Sequence, residues 1–445
     1  MKLSFGIIKT FTRNPLPLIF NLMPINLKTS LGTGSSVAVT QCQVCNNPKL
    51  SSILFLGYLP PVNTMQAIGT QPVEQSSYPA QWLYCSKCNL VQMGAIVDPE
   101  ILFPPEYAYT SSTTKVLREN FAELYKESSK LLSLQKDDLI VDIGSNDGNL
   151  LSNFQKNHKV LGITPEEIGK LAIKKGIDTY IDFFNDKSVN RALKEKGKAT
   201  VITATNVFAH MENIHDVVKN ILKLLKPNGV FISESHYLFP LIKTLQYDTV
   251  YHEHMRYYSL HSLKYLLEMH GLEVFHAKNI PSHGGSIRVY AARKGKLPVK
   301  DTVKKMLAKE KDAVTGKSNL SKFQNKVVLT KLELYKLLFD IKKKGKRIYG
   351  LGAPSRASTL INYVGLDQGI IDCVLEVKGS QKIGKYMPGT LIPVLDEEKL
   401  YKDQPEYALL LSWHIAGELM PKIRQKGFKG DFIIPLPIPR IVKAK

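Results

Sequence analysis

Tyr251, His252, Glu253 and His254 place a phenol, two imidazoles and a carboxylate in four consecutive residues. Groups of these types move protons near neutral pH. Three readings compete. On a strand, His252 and His254 would share one face and Glu253 the other, so an HxH pair could hold a metal. In the second reading, one histidine is a general base and the other packs in the core. In the third, both histidines are satisfied at a strand–helix joint and do no chemistry. Tyr247, Tyr257 and Tyr258 crowd the same stretch.

Four of the five cysteines form two knuckles, Cys42-x-x-Cys45 and Cys85-x-x-Cys88. Two tight turns carrying two thiolates each make a tetrahedral S4 site, and four soft ligands with no open position favour structural Zn2+. A redox dithiol or an iron–sulfur cluster are the alternatives. Cys373 stands apart as a core residue.

DDLIVDIGSNDGNLLSNF reads as a strand, a glycine turn and a helix. Gly144 and Gly148 permit positive φ and close approach of a ligand. The spacing is not the GxGxxG of dinucleotide folds. Asp142 and Asp147 would repel a pyrophosphate and attract an ammonium and a sulfonium, which points to S-adenosylmethionine. KVLGITPEEI supplies a second strand, DTYIDFFND a third with Asp182 and Phe183 near adenine, and the run from Ala199 to Ser235 a fourth strand, a helix and a fifth strand. A carboxylate normally ends the second strand. Thr164 stands there instead, with Glu166 or Glu167 as substitutes.

These groups need elements to hold them. A chain of 445 residues is long enough for two or three domains. Residues 1–40 form an extension, either a targeting segment or a disordered tail, because no Asp or Glu precedes Glu74. Residues 41–110 read as a small zinc-binding domain. Residues 111–297 alternate β-branched runs with amphipathic segments, the pattern of a mostly parallel α/β sheet. Residues 298–345 read as a helical connector, with Phe323, Val327, Val328, Leu332, Leu334, Leu337 and Leu338 at helical spacing. Residues 346–445 restart as a second, smaller α/β domain. The fold class is therefore α/β, and the five strands in this order, with LKPNGVFISE entering the fifth, resemble a Rossmann-like class I methyltransferase core between two smaller domains.

The net charge of +21 is lysine-driven. It fits solvated helix faces or an acidic partner, either a nucleotide diphosphate or nucleic acid. Few cysteines argue against a secreted disulfide framework. No apolar run reaches membrane-spanning length. The expected location is the cytoplasm, or a mitochondrion or other organelle if the extension is a transit peptide. A monomer is the expected state.

Read in order, the CxxC…CxxC knuckles, EYAYTSSTTKVLRENF, IGSNDGNLL, NVFAHMENI, YHEHMRYYSLHSL, HGGSIRVYA, GLGAPSRASTLINY and LLLSWHIAGEL resemble the three-domain sugar C-methyltransferases over roughly residues 41–437. The resemblance implies a nucleotide-linked deoxysugar substrate with a ketone at carbon 4. A base removes the proton from the adjacent carbon, and the enolate takes the methyl group of S-adenosylmethionine. The base falls on His254. Tyr251 and Glu253 assist at the keto group or orient the base, and His210 lies near the reacting centre. Tyr107 and Tyr109 are aromatic site residues, and His252 is the structural member of the cluster. The cofactor set comprises Asp142, Gly144, Asn146, Asp147, Gly148, Asn149, Thr164, Asp182, Phe183 and Asn206. In RIYGLGAPSRASTL, Gly352, Ser355 and Arg356 would hold the nucleotide's phosphates at a helix N-terminus, with Lys382, Lys385 and Tyr386 as further candidates.

Two other functions compete with this one. An RNA methyltransferase also joins a zinc knuckle to this fold, but TNVFAHM lacks the Asn/Asp-Pro-Pro-aromatic run of base-modifying enzymes, so nucleic acid is not the expected partner. A zinc-stabilised binding or assembly factor would have lost the chemistry, against which the intact YHEH argues.

Overall fold

The computed structural model describes residues 35–103 and 115–444. Tyr107, Tyr109 and most of the N-terminal extension lie outside the described residues. No helix among the described residues is long and apolar enough to cross a membrane.

The core is a seven-stranded sheet. From one edge its strands are Thr179–Ile181, Lys159–Thr164, Leu139–Ile143, Ala199–Thr205, Leu225–His236, Ser286–Arg293 and Leu272–Ile280. All run parallel except Ser286–Arg293, which is antiparallel to both neighbours. Strands such as LIVDI are buried at every position, as sheets covered by helices on both faces require. The order reverses between Leu139–Ile143 and Ala199–Thr205, so a crevice opens beyond their carboxyl ends, where open α/β sheets bind ligands. This is the class I methyltransferase sheet.

Arg288 is fully buried on the antiparallel strand and ties this end of the sheet to the helix Lys115–Leu132. Its guanidinium donates to Glu234 at 2.9 Å, Glu123 at 2.6 Å and Asn120 at 2.9 Å. A buried cation is tolerated because its donors are matched by carboxylates.

The cysteine-bearing module is not self-contained. Its sheet contains Leu50–Leu59, Tyr78–Cys85 and Val91–Met93, and its fourth strand is Arg256–Tyr257 from the methyltransferase core. That strand pairs antiparallel, Arg256 with Gln92 and Tyr257 with Val91. Ser36–Ala38, placed in the extension by the sequence reading, pairs with Ala95–Val97. Trp82 stacks on Phe323 with ring centroids 5.7 Å apart, which seats the module on the connector.

The connector is two helices, Asp301–Val314 and Lys317–Lys342. Its apolar residues divide between two faces. Phe323, Val327, Leu334 and Leu338 are buried, whereas Val328 and Leu332 are exposed. The C-terminal domain is a six-stranded sheet in the order Val394–Asp396, Cys373–Glu376, Ile348–Leu351, Tyr407–Leu410, Asp431–Ile434 and Arg440–Val442, with the last strand antiparallel. Cys373 is buried in it. Its order reverses between Ile348–Leu351 and Tyr407–Leu410, which makes a second ligand-type crevice.

Candidate active site

The four knuckle cysteines converge. Cys42 and Cys88 Sγ are 3.4 Å apart, Cys45 and Cys85 Sγ 3.5 Å, and all four lie within 4.8 Å of one another. A tetrahedron with Zn–S bonds of about 2.3 Å requires S–S separations of about 3.8 Å, so the residues fit a structural zinc ion. Backbone amides of Val44 and Cys45 point at the Cys42 sulfur, as thiolate ligands favour. Among the described residues, this is the set that brings three or more such ligand atoms together. The histidines do not, so the HxH metal reading is set aside.

The cofactor loop follows the strand Leu139–Ile143. Gly144 and Gly148 adopt φ of 71° and 77°, and Asn146 a φ of 49°. A side chain at Gly144 would collide with Val207, so glycine is required by packing as well as by backbone. The two acidic residues are not free. Asp142 is buried, accepts the Thr203 hydroxyl at 2.6 Å and is pushed up to about 7 by burial. Asp147 is buried and faces Lys175 at 3.2 Å. Asn149 is also buried, and Asn206 takes a φ of 59° where the fourth strand ends. At the end of the second strand the Thr164 hydroxyl donates to Glu166, while Glu167 turns to Lys170. This contact holds the Glu166 carboxylate beside the end of the second strand, where position 164 itself has none. Asp182 accepts from the Phe183 amide, and the Phe183 ring is 65% exposed at the third strand's end. A glycine turn, a carboxylate and a free aromatic face at successive strand ends fit S-adenosylmethionine, which supplies an electrophilic methyl group when bound.

Tyr251–His254 is a turn, not a strand, and His252 and His254 do not share a strand face. The turn arises because its flanks are held elsewhere. Arg256 donates 2.6 Å bonds to the carbonyls of Met211 and Glu212, and Ser259 caps the helix Leu260–Met269 that follows. His252 packs edge-on against Tyr78, with centroids 5.7 Å apart. Glu253 is buried and accepts from Asn63 at 2.6 Å.

His254 faces two other imidazoles and two phenols, those of His210, His236, Tyr251 and Tyr257. Its ring lies 5.0 Å from His210, 5.1 Å from His236 and 4.2 Å from Tyr251, centroid to centroid. His283 lies 5.8 Å beyond His236. His254 Nδ1 is 3.2 Å from the Thr249 carbonyl. A carbonyl only accepts, so Nδ1 carries the proton and Nε2 keeps its lone pair. Burial, then the neighbouring His210, pulls His254 well below the ordinary imidazole range. Burial alone pulls His210 down to about 4, and burial, then the neighbouring Glu253, pushes Tyr251 well above the usual phenol range. The crevice thus holds neutral imidazoles beside a protonated phenol.

The C-terminal crevice meets this cluster. Ser355 opens the helix Ser355–Val364 and lies 3.4 Å from Asn63, the partner of Glu253. Gly352 has a φ of 83°, packed on Ser412. Arg356 departs from the phosphate cradle that the sequence suggested. It is buried, and its fork is held by Asp248 at 2.8 and 2.9 Å. Glu376 takes the Ala353 amide at 2.7 Å, so that amide is also spent. Lys382 reaches the Ala353 carbonyl at 2.6 Å, and Tyr386 accepts from the Gly69 amide. A groove of about 630 Å³ runs between residues 58–77 and residues 362–391, and none of its lining residues belongs to the histidine cluster.

His236, His283, Asp248 and His414, the last acting electrostatically with Arg356 and His283, did not emerge as site residues from sequence. The signals were present. His283 begins HGGSIRVYA, His414 lies in LLLSWHIAGEL, and His236 ends the fifth strand, at the end of the sheet where ligands bind.

Three family models match in order. A putative zinc-binding domain covers residues 42–103, a methyltransferase domain 115–277, and a C-methyltransferase C-terminal domain 281–437. Similar solved structures include an S-adenosylmethionine-dependent methyltransferase from Clostridium acetobutylicum, at 14% identity over 41% of this chain and 94% of that one, TM-score 0.33. Another is magnesium protoporphyrin IX methyltransferase from Synechocystis, at 13% identity over 40% and 79%, TM-score 0.31. C-methyltransferase NovU from Streptomyces niveus is 30% identical over 414 residues, spanning 92% of this chain and 98% of the relative. With its zinc module, class I sheet and C-terminal domain in the same order, the chain belongs to the three-domain S-adenosylmethionine-dependent C-methyltransferase family.

Proposed function

We propose that the protein C-methylates a nucleotide-linked keto-deoxysugar at the carbon next to the ketone, with His254 as general base. The observation that carries this reading is the Thr249 carbonyl at His254 Nδ1, which leaves the lone pair on Nε2 of a ring packed among His210, His236 and Tyr251. An imidazole is a weak match for a carbon acid. A positioned base contributes about 10²–10⁴ in rate, or about 3–5 kcal/mol. The remainder requires donors at the developing enolate oxygen. Tyr251, kept protonated by its surroundings, and His210 are suited to that role. Glu253 orients the turn through Asn63.

The nucleotide part is assigned to the C-terminal crevice, around Gly352, Ser355 and Lys382. Support comes from the lysine-rich charge of the chain and from Ser355 standing one residue, Asn63, away from Glu253. The test is a mass-spectrometric screen of nucleoside-diphosphate keto sugars with S-adenosylmethionine. A one-methyl gain on such a sugar is expected. No gain across the panel by protein that binds the cofactor would overturn the substrate assignment.

A further inference from the structure

Asp248 is fully buried four residues after Thr244 and six before His254. Its carboxylate is bound from the C-terminal domain by three donors. Arg356 Nε and Nη2 lie at 2.8 and 2.9 Å, and the Trp413 indole N–H at 2.7 Å. Arg356 Nη2 also reaches Gln246 at 3.1 Å, and Gln246 donates to the Gly284 carbonyl at 2.7 Å. The Tyr247–Thr249 turn is therefore clamped by the N-terminus of the helix Ser355–Val364, the Trp413 loop and the loop that carries His283. On the far side, the Thr359 hydroxyl holds the Val250 carbonyl at 3.2 Å.

Between these two anchors lies the Thr249 carbonyl, which receives His254 Nδ1–H and the Tyr257 hydroxyl, each at 3.2 Å. We propose that Asp248 is a positioning residue for the base: through Arg356 and Trp413 it uses the C-terminal domain to aim the Thr249 carbonyl, which sets the tautomer of His254. The proposal rests on the reading of His254 as base. A buried ion pair is a costly way to glue domains, since well-packed apolar residues of similar volume often serve as well. Its retention beside the base is explained by the direction it gives one carbonyl.

The test uses full-length zinc-loaded protein with 15N-labelled histidine. NMR reads the His254 tautomer without substrate, with His254→Asn assigning the signal. Wild type is expected to show Nδ1–H. Asp248→Asn sets an amide N–H against Arg356 and is expected to mix the tautomers. On the keto sugar found by the screen, kcat is expected to fall about 10- to 100-fold, with KM and cofactor affinity within about threefold. Trp413→Phe removes one donor and is expected to move both readouts less, in the same direction; it decides the matter if Asp248→Asn does not fold. A folded variant with the wild-type tautomer pattern and kcat would overturn the proposal. Full turnover in His254→Asn would instead sink the base assignment, while the tautomer readout still reports on the clamp.

Discussion

The Thr249 carbonyl oxygen lies 3.2 Å from Nδ1 of His254, and that contact puts the ring proton on Nδ1 and leaves the lone pair on Nε2. The tautomer of this proposed base thus depends on a backbone group five residues upstream, in a turn whose Asp248 is bound by Arg356 of the C-terminal domain.

Replacing that base separates binding from chemistry. His254→Asn is expected to bind S-adenosylmethionine with near-normal affinity by calorimetry, because the cofactor loop and strand ends are untouched. Turnover is expected to drop at least about a hundredfold. Near-normal turnover would remove His254 from the chemistry.

The acid side of the pH profile follows from burial. His254 is held below the ordinary imidazole value of 6.5, mainly by burial and then by His210, with His283 and Arg356 adding to it against the opposing Thr249 carbonyl. The base is active when neutral, so turnover is expected to stay level as pH falls to 6.5 and to decline only below it. An acid limb centred above pH 6.5 would contradict this.

Stability shares the same sign. Burial pulls His210, His252 and His283 down to about 4 in the folded chain. Unfolded, each binds a proton near 6.5, so the unfolded state holds more protons between those values. Stability is therefore expected to fall as pH drops from 6.5 towards 4, with no slope from these groups above 6.5. Denaturant titrations at pH 7.5, 6 and 5 check it, and a rise towards pH 5 would contradict it.

Zinc removal is expected to reach the base. Arg256–Tyr257 pairs with Val91 and Gln92, three and four residues past Cys88. Structural zinc supplies about 10–16 kcal/mol of apparent binding free energy in small modules. Chelation, or Cys85→Ser, is expected to lower Tm and turnover together, with zinc back-addition restoring the chelated protein. Metal-free protein that keeps both would contradict the coupling.

Glu166 is expected to serve the cofactor. Thr164 positions its carboxylate at the end of the second strand. Glu166→Gln is expected to weaken S-adenosylmethionine binding about tenfold, the scale of one charge-assisted hydrogen bond, while Glu167→Gln changes little. Equal affinity in both variants would remove Glu166 from the site.

Local signals made much of this legible. Strand runs such as LIVDI and the CxxC pairs carry their chemistry within a few residues, so the sheet and the metal module follow from spacing. The crevice is less local. His236, His283 and His414 are separated by long stretches of chain, and His414 comes from the C-terminal domain, so no local pattern groups them. Arg356 reads as a phosphate ligand from its helix N-terminus, and only the fold reveals that Asp248 occupies its fork. The Tyr251–His254 turn likewise follows from tertiary anchors, Arg256 on Met211 and Glu253 on Asn63, which no local pattern encodes.

As the proposed base, His254 takes a proton from carbon. The direct measurement is hydrogen–deuterium exchange at the carbon beside the ketone of a nucleoside-diphosphate keto sugar, in D2O with S-adenosylhomocysteine in place of the methyl donor. Wild-type protein is predicted to incorporate one deuterium per exchangeable position well above the buffer rate, and His254→Asn to incorporate it at the buffer rate. Equal, enzyme-accelerated exchange in both proteins would remove His254 as the base.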